Sequence, residues 1–415
     1  MKRLIDAFKW SFFTTSMKVV AMLYVNKVLA ISFGPGGYFM VGNFQNFVQI
    51  TQNISLLATN NSLVTSISQA ADAESQDKAI ETVLSIVLMS SVTVGILCFV
   101  FSDDLAAIIF SNTDQSSLFK IYSLALTFNC LFSVFMSKAN GLRLSKVYGL
   151  YNVTASASLV VLCALFDLVG HETLIIISLG VYQAISFMLL ILLPKRLTLL
   201  NFSNSHFKLD KYYLGVVKNF AIMAIVSAAS VPISHYFVRF LISEFISAEA
   251  ASGWEAMMRL SVAYLIVVMA TFNLYFLPTL STIETKAQFQ RERWNGIRLL
   301  FPLYLCGALS LYTFSGPIIS TLFTDEFHLI VFPYLGWFLV SDLVRCYALF
   351  YVYLMLAKKM TLIFCISEII GSIILSSCIW VAINNQWNVG LMYFFYTLLY
   401  TVCLKLLIKN SRLLL

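Results

Sequence analysis

Charge is what this chain has least of. Only 11% of its 415 residues are Asp, Glu, Lys or Arg, against 60% hydrophobic, and a water-facing surface of that size needs more charge than this. A soluble protein is excluded. Paired cysteines are absent too: the eight (Cys98, Cys130, Cys163, Cys306, Cys346, Cys365, Cys378, Cys403) fall singly inside apolar segments, with no CxxC and no histidine at ligand spacing. They read as small buried hydrophobes, and neither metal nor disulfide chemistry has support. The four histidines are scattered, with only His235 inside a long apolar segment. No cofactor is expected. No loop is long enough for a folded domain, so whatever the chain does happens in or beside a bilayer. The net charge of +7 has no basic module behind it, which removes nucleic acid as a partner.

Long apolar stretches fill the rest. Runs of 18 or more mostly apolar residues, the length a helix needs to cross hydrocarbon, lie near 8–32, 38–66, 80–101, 117–137, 148–168, 173–193, 216–240, 254–280, 296–316, 330–356, 361–383 and 388–408. The chain reads as an all-α membrane protein of twelve transmembrane helices. The first stretch is too long for a signal-peptide core and has no small-residue cleavage site before Phe33-Gly34-Pro35, so it is expected to stay as span 1. Threaded this way, 21 of the 27 basic residues fall in loops on one side, and the positive-inside rule makes both termini cytoplasmic.

The longest hydrophilic connector, 194–215, is also the midpoint. It divides the chain into an N-terminal lobe, 1–193, with spans 1–6, and a C-terminal lobe, 216–415, with spans 7–12. Weak internal similarity agrees: Leu63-Val64-Thr65 with Leu277-Pro278-Thr279, and Leu144-Ser145-Lys146 with Leu356-Ala357-Lys358, recur at offsets of 214 and 212 residues. An even number of spans per half makes the repeats parallel, related by a pseudo-two-fold axis along the membrane normal.

Six basic residues escape the loops: Lys18, Lys27, Lys120, Arg239, Arg259 and Arg345. An ionised group at bilayer depth costs about 2.5–3.5 kcal/mol on insertion scales, so such groups need partners, water or a ligand. Lys120, at a span end, can snorkel. Lys27 is nine residues from Lys18 and therefore across the helix from it. In the second half, Glu255 and Arg259 are four apart, Asp342 and Arg345 three apart, spacings that share a helix face. Glu368 stands alone on span 11. Structural ion pairing and a role in moving protons or cations are both open for these carboxylates, and Arg239 could equally snorkel. Span 2 is unusual in another way: Asn43, Gln45, Asn46, Gln49, Gln52, Asn53 and Asn60 spread amides over about half the helix. Some can be interhelical glue, but the number points to a wet surface suited to a hydroxyl-rich ligand, because amides donate and accept. Cations plus amides imply a ligand with a phosphate-like and a sugar-like part.

The sequence resembles the Wzx-type flippases of lipid-linked oligosaccharides, within the multidrug/oligosaccharidyl-lipid/polysaccharide exporter superfamily. The resemblance is carried by Lys27 to Gly37 with its FGPGG core, Gly42-Asn43-Phe44-Gln45, Asn112-Thr113-Asp114, Tyr275-Phe276-Leu277-Pro278-Thr279-Leu280-Ser281, Leu339-Val340-Ser341-Asp342 with Ala357-Lys358, and Ser367-Glu368. It is strongest toward the enterobacterial common antigen and O-antigen types. It implies a V-shaped central cavity, alternating access, and passage of an undecaprenyl-diphosphate-linked glycan between leaflets of a Gram-negative inner membrane, with coupling to an ion gradient. Lys18, Lys27, Arg239, Arg259 and Arg345 would then attract the diphosphate, the span 2 amides would hold sugars, and Glu255, Asp342 or Glu368 would carry the coupling. Membrane lipids, a polysaccharide polymerase and a chain-length regulator are the partners such a role implies. Gln45 stands where the common-antigen type is expected to carry Arg, and Arg259 lies near where that type has an acid, so the glycan stays open.

Two rivals remain on sequence grounds. A drug/cation antiporter of the same architecture would want an acidic, aromatic first-lobe cavity, against which Lys18 and Lys27 speak. A polymerase or glycosyltransferase would need a sizeable external loop or a surface cluster of acids and arginines.

Overall fold

In the computed structural model the described residues are 2–57, 59–69, 72–110, 113–142, 144–194, 210–276, 279–280, 283–358 and 360–410. Most of the 194–215 connector, with Lys195, Arg196 and Lys208, lies outside them, as do Asn112, Arg143, Leu277, Pro278, Ser281, Lys359 and Arg412.

Among the described residues every regular element is helical. In chain order they are α1 (Lys2–Leu56), α2 (Thr59–Gln69), α3 (Ala73–Val100), α4 (Ser102–Phe110), α5 (Ser116–Gly141), α6 (Ser145–Val169), α7 (Glu172–Ile191), α8 (Lys211–Phe245), α9 (Ala248–Thr271), α10 (Lys286–Thr313), α11 (Ser315–Leu322), α12 (Asp325–Ala357), α13 (Thr361–Asn384) and α14 (Val389–Asn410). A π-helical turn, Phe272–Phe276, extends α9. Among the described residues nine stretches are long and apolar enough to cross a membrane, and one of them, Ser16–Leu56, has 41 residues, enough for two crossings at 1.5 Å per residue.

The first two expected spans are joined without a loop. α1 runs through both, broken at one residue, Gly34, whose φ of 56° and ψ of −174° lie where only glycine sits comfortably. Pro35 follows and has no amide to donate. Span 2 also ends earlier than its hydropathy suggests: it stops at Leu56, Leu57 takes a left-handed φ of 46°, and the chain resumes as α2. The reason is local chemistry. Thr51, Ser55 and Thr59 turn their hydroxyls onto the carbonyls of Phe47, Thr51 and Leu56, and such back-bonding bends helices. At the start of α3, Asp72 accepts from the Ser75 amide at 2.8 Å. That cap holds its carboxyl below the usual range.

The chain forms two compact units. One comprises Met1–Ser32 and Asn43–Ala229, the other Phe33–Gly42 and Ser230–Leu415. These differ from the expected 1–193 and 216–415 lobes in two places. Residues 216–229 go with the first unit, and Phe33–Gly42 goes with the second. The second shift has a visible cause: the Phe39 amide donates to Ser252 Oγ at 3.1 Å, and the Tyr38 ring packs edge-on to Phe323 and Phe327. In the first unit α5 is the central helix, touching α2, α3 and α7, with Phe44, Phe47, Phe119 and Tyr122 interlocked edge-to-face. In the second, α12 takes that place between α9 and α14. Its core gathers Phe272, Phe276, Phe350 and Tyr353 around the π-helical turn.

The cysteines do not all follow expectation. Cys306 is exposed, and Cys365 and Cys403 are half-buried. Cys306 lies on α10, many of whose residues face outward, as an apolar helix can where hydrocarbon rather than protein surrounds it.

Candidate functional site

The second unit holds its charges in the interior. α8 brings Arg239 and α9 brings Glu255 and Arg259 to one point: Arg239 Nη1 donates to Glu255 Oε2 at 2.7 Å, and Arg259 Nε donates to Glu255 Oε1 at 2.7 Å. All three are almost sealed, with side-chain exposures of 3%, 7% and 11% for Arg239, Glu255 and Arg259. Arg239 therefore does not snorkel to a headgroup. It has a partner in the interior, which is the cheaper course for a buried guanidinium. Two residues that sequence reasoning passed over complete the arrangement. The Arg259 guanidinium lies 5.2 Å from the centre of the buried Tyr38 ring, a cation–π contact. At Gly42 any Cβ would collide with the Glu255 carboxylate. Gly42 was legible as part of a motif, but nothing in its spacing announced what it makes room for.

Asp342 of α12, completely buried, is held from α9. Its Oδ2 accepts from Ser261 Oγ at 2.5 Å and from the Tyr264 hydroxyl. Its Oδ1 lies 3.7 Å from Arg345 Nη1, too far for a hydrogen bond. The expected Asp342–Arg345 pairing is thus present but loose, and two hydroxyls do most of the holding. Ser261 and Tyr264 sit at i+2 and i+5 from Arg259, and hydroxyls at such positions carry no signal that separates them from ordinary packing.

Arg345 turns toward a cavity of about 170 Å³ that it lines with His235, Glu368, Tyr393, Tyr396 and Tyr400. The Tyr400 hydroxyl donates to Glu368 Oε1 at 3.4 Å. The three tyrosines, at i, i+3 and i+7 on α14, form one helix face. The cavity is smaller than the roughly 300–1,000 Å³ typical of organic-ligand sites. Several waters or a hydrated ion fit its size, whereas a glycan does not.

The first unit treats its expected site residues differently. Lys18 is exposed and Lys27 half-buried, so neither is sealed from solvent as the second unit's charges are. Among the described residues all fully buried charges, Arg239, Glu255 and Asp342, belong to the second unit. The span 2 amides divide. Asn43 is buried, Gln45 and Asn46 are half-buried, and Gln49 and Asn53 are exposed. Gln52 ties helices of its own unit, donating to Gln183 Oε1 at 2.5 Å and to Ser133 Oγ at 3.5 Å. It is glue. Asn60 falls on α2, beyond the break, half-buried. Asn46, Gln49 and Asn53, at i, i+3 and i+7, share the least covered face of the part of α1 that follows Gly42. Among the described residues no group of three or more His, Cys, Asp or Glu could hold a metal ion.

No protein-family model matches the chain. It is 24% identical over 372 residues, 87% of its own length and 86% of the relative's, to the lipid III flippase of Escherichia coli (strain K12). Among solved structures it is similar to the lipid II flippase MurJ in an inward closed conformation, with a TM-score of 0.72, 14% identity, and coverage of 98% of this chain and 87% of that one. A multidrug resistance MATE family transporter of the MOP superfamily, inward-facing, gives a TM-score of 0.68 at 13% identity, covering 95% of this chain and 96% of that one. The likeness read from the sequence motifs therefore holds over the length of the chain, and the fold is that of the MOP-superfamily transporters.

Proposed function

We propose that this chain is a flippase that moves an undecaprenyl-diphosphate-linked oligosaccharide, of the common-antigen or O-antigen repeat type, from the cytoplasmic to the outer leaflet of a bacterial inner membrane. The observation that carries the reading is the 372-residue likeness to a lipid III flippase, spanning nearly all of both chains. Twelve spans in two six-helix lobes, with both termini cytoplasmic, would give alternating access without covalent chemistry. Exposed Lys18 and half-buried Lys27 suit a polyanionic headgroup better than the arginines that are already committed to Glu255. The Asn46, Gln49 and Asn53 face suits hydroxyl-rich sugars. Arg239 and Arg259 belong, on this reading, to the framework, and so does Glu255.

Coupling falls to the cavity of Arg345 and Glu368, with Asp342 behind it. A gradient drives net export only if an ion binds the two conformations unequally, and Glu368, the carboxylate that lines this small cavity with Arg345, is the group that would bind it. The drug/cation antiporter remains the second reading because MATE structures share the fold. It fits the exposed Lys18 less well.

The test is complementation in a strain lacking its own lipid-linked oligosaccharide flippase. Wild-type protein should restore surface glycan, Lys18→Ala should not, and both should reach the membrane in equal amounts. Normal glycan in the Lys18→Ala strain would remove that residue from the mechanism. Failure of the wild type together with raised resistance to cationic drugs would favour the antiporter.

A further inference from the structure

The second unit carries another cavity, of about 370 Å³, that transport as proposed does not use. It is a trough between α10, α12 and α14. Leu300, Phe301, Leu343, Leu398 and Val402 give it an almost wholly apolar wall, and Lys405 lies among the lining residues at the C-terminal end of α14. Its volume is within the roughly 300–1,000 Å³ of ligand sites.

What stands around Lys405 separates this trough from an ordinary greasy crevice. Its Nζ is 5.0 Å from the centre of the Tyr347 ring. Arg293 of α10 reaches the same ring at 5.4 Å and the Tyr351 ring at 5.6 Å, and its Nη1 donates to the Tyr351 hydroxyl at 2.5 Å. The Tyr347 and Tyr351 hydroxyls are 3.1 Å apart. Two cations and two phenols from three helices thus meet beside an apolar trough. Among the described residues neither cation is within ion-pair distance of a carboxylate. Nearby, Arg298 stacks over the exposed Trp294 at 5.4 Å, the kind of amphipathic pair that collects at headgroup level.

We propose that this trough binds one anionic glycerophospholipid of the cytoplasmic leaflet, its phosphate between Arg293 and Lys405 and one acyl chain along the α10–α12–α14 wall. Charge complementarity decides the occupant. A zwitterionic lipid brings its own ammonium beside the phosphate, which the two cations repel, whereas an anionic headgroup accepts from both cations and from the tyrosine hydroxyls with no positive charge of its own. The positive-inside assignment puts Arg293 and Lys405 on the cytoplasmic side. Basic pockets between transmembrane helices on the cytoplasmic side are suited to anionic headgroups.

Native mass spectrometry of the full-length protein in detergent, titrated with phosphatidylglycerol or with phosphatidylcholine of identical chains, tests this. Phosphatidylglycerol should be retained at least ~10-fold better. Arg293→Gln with Lys405→Gln should erase the preference, Arg293→Lys with Lys405→Arg should keep it, and Val402→Trp, which fills the trough, should lower retention of both lipids. Each variant's thermal melt is recorded alongside, and the single Arg293→Gln and Lys405→Gln variants stand in if the double one does not fold. Equal retention of the two lipids by the wild type, or an undiminished preference in the Gln variants, overturns the proposal. Selective retention of undecaprenyl phosphate over phosphatidylglycerol would also overturn it, by assigning the trough to the prenyl carrier.

Discussion

The two units solve the problem of polar groups in an apolar setting in opposite ways. In the first, the buried polar side chains are hydroxyls and amides, such as Thr51, Ser55, Asn129 and Ser178, and many bond back to carbonyls of their own helix or a neighbour. In the second, ionisable groups enter the interior with dedicated partners: two arginines pair with Glu255, and two hydroxyls hold Asp342 with an arginine nearby. The first arrangement is cheap to assemble and has little electrostatic consequence. The second is costly unless complete, because the loss of any one member strands another charge without water. The two interiors should therefore respond very differently to the removal of a single polar group.

Glu255→Ala should break the contrast most severely. Two arginines would lose their shared acceptor, at a cost of about 3–5 kcal/mol, read as a lowered melting temperature and poor accumulation in the membrane. Replacing all three partners by apolar residues (Arg239→Met, Glu255→Leu, Arg259→Met) sharpens the point. Stability should return to at least the wild-type level, since a packed apolar cluster often equals a buried ion network. A triple variant as unstable as Glu255→Ala would show that packing at Gly42 and Tyr38, rather than charge, governs the site.

An intermediate effect is expected at Asp342. Tyr264→Phe removes one of its two hydroxyl donors, and a buried hydrogen bond is worth about 0.5–1.5 kcal/mol net. The variant should melt lower than wild type but still insert, and an unchanged melt would mean that Ser261 alone holds the carboxylate. The smallest effect belongs to the first unit. Gln52→Leu cuts the link to Gln183 and Ser133, and interhelical bonds of this kind average only ~0.6 kcal/mol. A loss as large as that at Glu255 would erase the distinction between the units.

How much of this was legible in the sequence depends on what had to be read. Helical class and most span limits follow from hydropathy, because length and apolarity are local properties. The pairing of Glu255 with Arg259 was legible from i,i+4 spacing. Arg239 was not, since its partner is 16 residues away on another helix and a residue near a span end reads equally well as a snorkeler. Lys18 shows a different case: depth along the helix marks it as unusual, yet depth does not say which face the side chain takes, and in the structure it is exposed rather than enclosed by protein. The amide stripe of span 2 left open which amides are glue and which line a wet surface. It separates into glue at Gln52 and exposed amides at Gln49 and Asn53 because bonding partners on α5 and α7 are set by packing rather than by spacing.

Gly34 closes the matter of tolerance. A Cβ built there meets nothing within 4 Å, so a survey of contacts would rate the site as open to any replacement. Its backbone torsions nevertheless exclude every L-amino acid at acceptable strain. A mutational scan should find this codon as intolerant as the buried charges, although its side chain, having none, touches nothing.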